Sequence, residues 1–176
     1  AHADPAAELP VVMVTAGAQM HVRGASGSRE ISAEEFFLSY LTTALGDDEL
    51  LTEVRVPVQP ARTGVAFEEF ARRSGDYALG GAGALITLDE GGVCRRARLG
   101  LLAAGDTPVR ARQAEAILEG ESASSAVVEA AAEAAVVDLD PPGNIHGDAG
   151  YRRQIIKSMV IRAVSAAHER VEGVGV

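Results

Sequence analysis

The histidines and the single cysteine are the residues of this sequence whose types suggest chemistry most directly. The lone Cys94 has no Cys-x-x-Cys partner, and no Gly-x-Ser-x-Gly run offers a nucleophilic serine. The four histidines form no His-x-x-x-His pair and lie in separate segments: His2, His21, His146 and His168. Zinc sites and serine hydrolases need such closely spaced groups. The sequence therefore predicts no metal centre and no self-contained nucleophile, and each histidine is interpreted as a surface or turn residue.

A glycine-rich run, Gly80-Gly81-Ala82-Gly83, raises the question of phosphate binding. Its spacing is too short for the Gly-x-Gly-x-x-Gly of a dinucleotide site, and no helix pattern follows it, as that motif or a P-loop requires. Glycines within a strand instead allow another part of the chain to approach closely. The run is interpreted as the close-packed start of a strand.

Composition narrows the class of protein. The 176 residues are 47% hydrophobic but only 4% aromatic, which indicates a globular core of small aliphatic side chains. A net charge of −9 disfavours general binding to nucleic acid or to anionic lipid. No apolar run reaches the roughly 20 residues of a membrane span, and the single cysteine is typical of a reducing cytoplasm. The start at Ala1 without a methionine suggests processing or an internal starting point.

Residues 1–60 carry alternating helix and strand signals. Ser32 and Glu35 form a capping box, which predicts that a short helix begins there; this helix is expected to end before Gly46. A linker from Val58 to Gly64 contains the expected boundary, which divides the chain into domains 1–60 and 61–176. The predicted elements of the first domain are a helix within Pro5–Val14, strands at Ala18–Arg23 and Ser28–Ile31, the short helix, and a strand at Glu49–Pro57.

Residues 61–176 read as strands followed by helices, which predicts an α+β fold with a three-stranded antiparallel sheet and a three-helix layer on one sheet face. Arg96 and Arg98 alternate with apolar residues, so the sheet face opposite the helices is expected to be exposed to solvent. In the last helix, Arg152 and Arg153 are assigned to the polar side. The predicted strands are Val65–Ser74, Ala82–Leu88 and Val93–Leu102, and the predicted helices are Arg110–Glu119, Ser125–Val137 and Tyr151–Val171. These patterns alone indicate an α+β domain without a complete active site.

Three segments, in this order and spacing, resemble one family: the flavin subunits or domains of carbon monoxide dehydrogenase, xanthine dehydrogenase and related molybdenum hydroxylases. They are the run 1–10 (AHADPAAELP), the run 36–45 (FFLSYLTTAL) continued by 49–57 (ELLTEVRVP), and the run 67–78 (FEEFARRSGDYA). The closing Tyr151-Arg152-Arg153 also matches. The resemblance implies the end of a PCMH-type FAD-binding domain followed by the family's C-terminal flavoprotein domain.

The resemblance further implies that Asp4, Glu8, Leu51 and Tyr77 bind FAD. Glu8 would contact the polar chain of the cofactor, Leu51 would pack on the flavin, and Tyr77 would lie against the isoalloxazine ring. Each residue has a plainer interpretation: a helix cap for Asp4, a favourable charge at a helix start for Glu8, a core leucine and a strand-edge tyrosine. The glycine-rich pyrophosphate loop of the family is missing from the sequence, so this piece alone is expected to bind FAD poorly.

The function implied by the resemblance is electron relay. A large subunit with a molybdenum cofactor would hydroxylate the substrate, and a small subunit with two-iron two-sulfur clusters would carry the electrons to FAD on this subunit. FAD would then pass them to an external acceptor, with no acid or base catalyst from this chain. The expected partners are those two subunits in a dimer of heterotrimers, together with the N-terminal FAD-binding half. The alternative is a noncatalytic α+β interaction module of a larger complex.

Overall fold

The computed structural model describes residues 2–173, and the chain begins with a helix beside a three-stranded antiparallel sheet. Strand β1 is central, in the order β2-β1-β5. Val14, Met20, Val22, Ile31 and Phe36 form the buried cluster between the helix and the sheet. The elements are α1 (Glu8–Ala16), β1 (Gln19–Gly24), β2 (Gly27–Ser32), α2 (Ala33–Phe36), β3 (Phe37–Ser39), β4 (Thr42–Thr43) and β5 (Leu50–Arg55). The helix and strands expected in this region are thereby confirmed.

The short helix α2 begins where the capping box predicts but ends far sooner. The backbone N–H of Glu35 donates to Ser32 Oγ at 3.3 Å, and that hydroxyl donates to the Glu35 carboxylate at 2.7 Å. The helix stops at Phe36, and β3 and β4 form a small hairpin, so the expected extension toward Gly46 is wrong. The physical reason is local: adjacent aromatic residues and β-branched threonines favour a pleated strand pair over a further helical turn.

The second part of the chain is a four-stranded antiparallel sheet in the order β6-β7-β8-β9, with helices on one face. Its elements are β6 (Thr63–Phe70), β7 (Gly80–Leu88), β8 (Cys94–Leu102), β9 (Val109–Arg110), α3 (Arg112–Leu118), α4 (Ser125–Val136) and α5 (Ala149–Gly173). Alternate residues of β7, such as Ala82 and Ile86, pack against Ile156 and Val160 of α5. The α+β class is confirmed, and the predicted three-stranded sheet gains only the two-residue β9.

Helix α1 lies on the opposite face of this sheet, over glycines of β7 and β8. A Cβ atom at Gly83 would lie 3.0 Å from Thr15 Oγ1, and one at Gly100 would lie 2.8 Å from a methyl group of Val11. A Cβ at Gly80 would press against Ile156 of α5 at 2.8 Å. The glycine-rich run is therefore a close-packed strand start, as the sequence indicates.

The face predicted to be wet is covered at Arg98, which contradicts that part of the sequence interpretation. Only 8% of Arg98 is exposed, because the carboxyl end of α1 lies above it. Its Nε donates to the carbonyl of Thr15 at 2.6 Å and its Nη2 to the carbonyl of Val14 at 2.8 Å. The guanidinium thus binds the carbonyl of Thr15, near the helix end where carbonyls lose their intrahelical partners, and adds a second donor to the carbonyl of Val14, which also accepts from the N–H of Gly17 at 3.2 Å. Arg96, two residues away on the same strand, is exposed as expected.

No helix within residues 2–173 has both the length and the apolar character needed to cross a bilayer.

Candidate functional site

A cleft of about 1010 Å³ lies where the two parts of the chain meet. The segment before α1 forms one wall, the loop between β6 and β7 forms another, and the loop after β8 and the first turn of α5 complete it. The side chains that matter most to its chemistry are Asp4, Arg72, Asp76, Tyr77, His146 and Arg152. Its size is at the upper end of the range for small-molecule and cofactor sites.

Asp4 holds the turn that leads into α1. Its Oδ1 accepts a hydrogen bond from the N–H of Ala6 at 2.8 Å, and its carbonyl accepts one from the N–H of Ala7 at 3.1 Å. The residue in the N-cap position is Ala7, which has no side-chain oxygen. Asp4 therefore fixes the cleft wall from the preceding turn, and its half-buried carboxylate remains within reach of a ligand.

Tyr77 stands in the loop between β6 and β7 with 71% of its surface exposed. This loop is ordered by a turn in which the N–H of Asp76 donates to the carbonyl of Arg73 at 3.1 Å, with Gly75 at φ 86°. Beyond the ring, the N–H of Leu79 donates to the carbonyl of Phe70 at 2.8 Å and starts β7. A fixed loop that exposes a large aromatic ring in a cleft offers a surface on which a flat ligand can stack.

Unusual backbone conformations gather around the same cleft wall. Among the described residues, Ala3, Leu41 and Ala103 are three of the four non-glycine residues with positive φ. The N–H of Leu41 donates to the carbonyl of Ala3 at 3.3 Å, and the N–H of Ala103 donates to the carbonyl of Pro5 at 2.9 Å. Such conformations cost free energy and are often found at ligand sites. Here they hold segment 3–5 between two neighbouring loops.

Leu51 lies in a second, apolar cleft of about 600 Å³, on the other side of the same N-terminal segment. It is 37% exposed on β5 and shares the cleft with Leu9, Met13 and Phe37. The segment 3–10 therefore separates a polar cleft, which contains Asp4 and Tyr77, from an apolar one, which contains Leu51.

Glu8, the fourth residue predicted to bind the cofactor, lies apart from both clefts. It is the exposed first residue of α1. Burial, and after it the negative charge of Glu8, raises the pKa of Glu69. The structure thus brings Asp4 and Tyr77 together and leaves Leu51 and Glu8 outside their cleft.

Two basic contributions to the cleft were not predicted from the sequence. His146, interpreted as a surface or turn residue, is an exposed turn residue whose ring also contacts Arg72, with Nδ1 2.9 Å from the Nη1 atom. Arg152, assigned to the polar side of the last helix, is instead buried, with 6% of its surface exposed. Burial lowers the pKa of the Arg152 guanidinium. Helical periodicity does not reveal this burial, because the neighbouring loop covers the first turn of α5.

An ion-pair cluster ties the two parts of the chain together beside α1. Glu34 of α2 accepts from Arg110 at 2.7 Å and from Arg98 at 3.3 Å, and it also contacts Arg112. Glu115 of α3 accepts from Arg110 Nε at 2.7 Å. Burial alone would raise the pKa of Glu34, but the hydrogen bond from Arg110 and the nearby arginine charges hold it below its usual value. Through Glu34, this cluster joins α2 of the first part to β8, β9 and α3 of the second.

The residues of the two clefts fit a flavin nucleotide. Tyr77 offers an exposed ring, the apolar cleft at Leu51 offers cover for a flat apolar group, and Arg152 offers a buried cation. Cofactor sites combine such apolar surfaces with a few polar groups that fix orientation.

Comparison with known proteins gives matches along nearly the whole chain. Residues 1–59 match a family model described as the FAD binding domain in molybdopterin dehydrogenase. Residues 65–167 match one described as the CO dehydrogenase flavoprotein C-terminal domain. The chain is 46% identical to the 6-hydroxypseudooxynicotine dehydrogenase complex subunit alpha of Paenarthrobacter nicotinovorans, over 97% of this chain and 57% of that protein. It is 33% identical to the carbon monoxide dehydrogenase medium chain of Afipia carboxidovorans, over 98% of this chain and 59% of that protein.

Solved structures agree with these matches. The carbon monoxide dehydrogenase of Hydrogenophaga pseudoflava has a chain that superposes with a TM-score of 0.92 and 35% identity, over 96% of this chain and 58% of that one. A chain of quinoline 2-oxidoreductase from Pseudomonas putida 86 superposes with a TM-score of 0.90 and 36% identity, over 97% of this chain and 59% of that one. The chain thus spans less than two thirds of the relatives that it matches.

Proposed function

Because this chain belongs to the family of FAD-binding medium subunits of the molybdenum hydroxylases, we propose that it forms one side of a flavin site in a multi-subunit oxidoreductase. FAD, when bound, supplies the redox chemistry, accepting electrons and releasing them to an acceptor. The chain itself would bind the ring, orient it and limit the access of water and oxygen. The single observation that carries the proposal is the cleft in which Asp4 and the exposed ring of Tyr77 meet.

The electrons would arrive from two-iron two-sulfur clusters on a small subunit, after hydroxylation of substrate at a molybdenum cofactor on a large subunit, and leave to an external acceptor. The assembly we propose is a dimer of heterotrimers in the cytoplasm; its location is in keeping with the single cysteine, Cys94, which is buried and unpaired. Residues 1–60 would complete the FAD-binding domain and residues 61–176 would form the C-terminal flavoprotein domain. Each part has a buried cluster of its own, which supports this division, and Val11, Ala78 and Leu102 form a smaller cluster between the two parts.

Asp4 and Tyr77 would contact FAD from the large cleft, and Leu51 would contact it from the apolar cleft on the other side of segment 3–10. Tyr77 would cover the isoalloxazine ring from the loop between β6 and β7, and Leu51 would contribute aliphatic cover from β5. Glu8, at the start of α1, would reach the polar chain of the cofactor only where that chain passes over the exposed end of the helix.

A visible spectrum of the assembled complex tests the proposal. We expect the full-length subunit, co-expressed with its small and large subunits and purified as a complex, to show oxidised flavin bands at about 450 nm. Acid extraction should release FAD in a ratio near one for each medium subunit. The alternative, a noncatalytic interaction module, predicts an assembled complex without flavin bands, and that result would contradict the proposed function.

Replacing Tyr77 tests its place at the ring. We expect Tyr77→Ala to raise the dissociation constant of FAD about fivefold, through the loss of about 1 kcal/mol of aromatic contact, and to speed the reaction of the reduced complex with O₂. Flavin fluorescence titration and stopped-flow oxidation measure the two effects. Tyr77→Phe, which keeps the ring, is the matched control and should retain the parent behaviour. Parent values for both quantities in Tyr77→Ala would remove Tyr77 from the site.

A further inference from the structure

Arg152 differs from the other cations of the large cleft in its burial. It lies in the first turn of α5, and only 6% of its surface is exposed, whereas Arg72 and Arg73 on the facing loop are exposed. All three line the cleft. Because water screens exposed charges strongly and buried ones weakly, Arg152 contributes most to the electrostatic potential inside the cleft.

The hydrogen bonds of Arg152 are incomplete within the protein. Its Nη1 donates to the carbonyl of Leu79 at 3.2 Å. Its Nε has no partner, and among the side chains of residues 2–171 it is the only buried nitrogen or oxygen in that situation. A buried donor without a partner is costly, and native structures rarely keep one. Because this Nε is shielded from solvent, what Arg152 offers a ligand in the cleft is the charge of its guanidinium.

The charge of Arg152 is also uncompensated within the part of the chain that the structure describes. Arg98 and Arg110, the comparably buried arginines, both contact the carboxylate of Glu34, and Arg110 also contacts Glu115. Arg152 forms no such ion pair. The three aspartates that line its cleft form no ion pair with it: Asp76 and Asp106 are exposed, and Asp4 is half-buried. The fold therefore supplies counter-ions for its other buried arginines and leaves this one available.

We infer that Arg152 is the fixed cation of the flavin site, which raises the reduction potential of bound FAD and fixes the Tyr77 loop through the carbonyl of Leu79. The inference rests on the proposed function and adds to it a residue that tunes the cofactor. Reduction increases the negative charge on the isoalloxazine, so a nearby positive charge stabilises the reduced form more than the oxidised form. The bond to Leu79, two residues after Tyr77, couples that charge to the loop that carries the ring.

Three variants of the full-length subunit in its complex separate charge from shape. Arg152→Gln removes the charge and keeps much of the length, whereas Arg152→Lys keeps the charge and loses the planar fork. Arg153→Gln is the matched control, because Arg153 is the next residue of α5 and also donates to a backbone carbonyl, that of Leu139 at 3.0 Å, yet does not line the cleft. The midpoint potential of the flavin is measured by spectroelectrochemistry at about 450 nm.

In Arg152→Gln we expect the affinity for reduced relative to oxidised FAD to fall about tenfold, which lowers a two-electron potential by about 30 mV. Arg152→Lys should retain most of the parent potential and Arg153→Gln all of it. Loss of flavin from Arg152→Gln, with a parent-like potential in Arg152→Lys, would also support the inference, since the charge would then be what FAD binding requires.

Other results would overturn it. A parent potential in flavin-loaded Arg152→Gln would show that its charge does not reach the flavin. Equal shifts, or equal loss of flavin, in Arg152→Gln and Arg152→Lys would show that only the shape of the side chain matters. These outcomes all presuppose flavin in the parent complex. A parent complex without flavin bands would contradict the proposed function itself. The spectrum of the parent complex is therefore recorded first, before any variant is made.

Discussion

Gly64→Ala is expected to lower the free energy of unfolding by about 3 kcal/mol or more, the upper end of the range for overpacked sites. Gly64 lies on β6 directly under α5, where a Cβ atom would overlap the carbonyl oxygen of Ala167. It would also lie 2.9 Å from the carbonyl carbon of that residue and 2.8 Å from a methyl group of Val171. The obstacle is helix backbone, which no side-chain rotation can move aside, so the whole helix must shift away from the sheet.

Urea unfolding followed by circular dichroism measures this effect. Gly105→Ala is a suitable control, because a Cβ atom there would meet only a methyl group of Val109 at an ordinary 3.7 Å. We expect the control to unfold within about 0.5 kcal/mol of the parent, as is usual for substitutions that break no contact. A Gly64→Ala protein as stable as the Gly105→Ala protein would mean that α5 does not approach β6 this closely.

Arg98→Met is expected to cost about 3 kcal/mol, the order observed when one partner of a buried ion pair is removed. The substitution keeps an aliphatic side chain but removes the side-chain donor from the carbonyl of Thr15 and one of the two donors from that of Val14. It also removes one cation from Glu34. Because these bonds join α1 to the sheet beneath it, the loss should be concentrated at the carboxyl end of α1. Hydrogen exchange should therefore show faster exchange of α1 amides, together with a lower unfolding midpoint in urea.

Arg96→Met provides the comparison for Arg98→Met. Arg96 lies on the same strand and is exposed. Burial and the charge of Arg110 lower the pKa of Arg98, and the charge of Arg96 makes a smaller contribution in the same direction. Its removal should change stability by about 0.5 kcal/mol at most. Equal destabilisation by the two variants would contradict the assignment of Arg98 as the specific link between α1 and the sheet.

Local patterns predicted most of the elements, because their signals lie within a few residues of one another. The capping box at Ser32 and Glu35 located the start of α2, and the turn between Leu88 and Val93 located the β7–β8 hairpin. Gly80 to Gly83 were interpreted correctly because no other residue permits such close approach within a strand. The fold class followed from the order of these elements.

The parts that were not predicted depend on contacts between distant segments. Arg98 was assigned to a solvent-exposed face because no residue near it in the sequence indicates that α1 covers that face. Arg152 was assigned to a polar helix side for the same reason, since the loop that buries it belongs to residues more than 70 positions earlier. For the candidate site, the resemblance supplied Asp4 and Tyr77, which share a cleft, whereas the potential role of Arg152 needed the three-dimensional arrangement.

The bond between Arg98 and the carbonyl of Val14 spans 84 positions of the chain, and this separation has a consequence for biosynthesis. At about 5–20 residues per second, a ribosome takes roughly 4–17 s to reach Arg98 after Val14 has been made. During that interval α1 has neither the glycine-lined strands that it covers nor the guanidinium that caps it. The first part of the chain therefore lacks these contacts until β8 has been made, and we expect nascent chains that end before β8 to be more sensitive to proteases than longer ones.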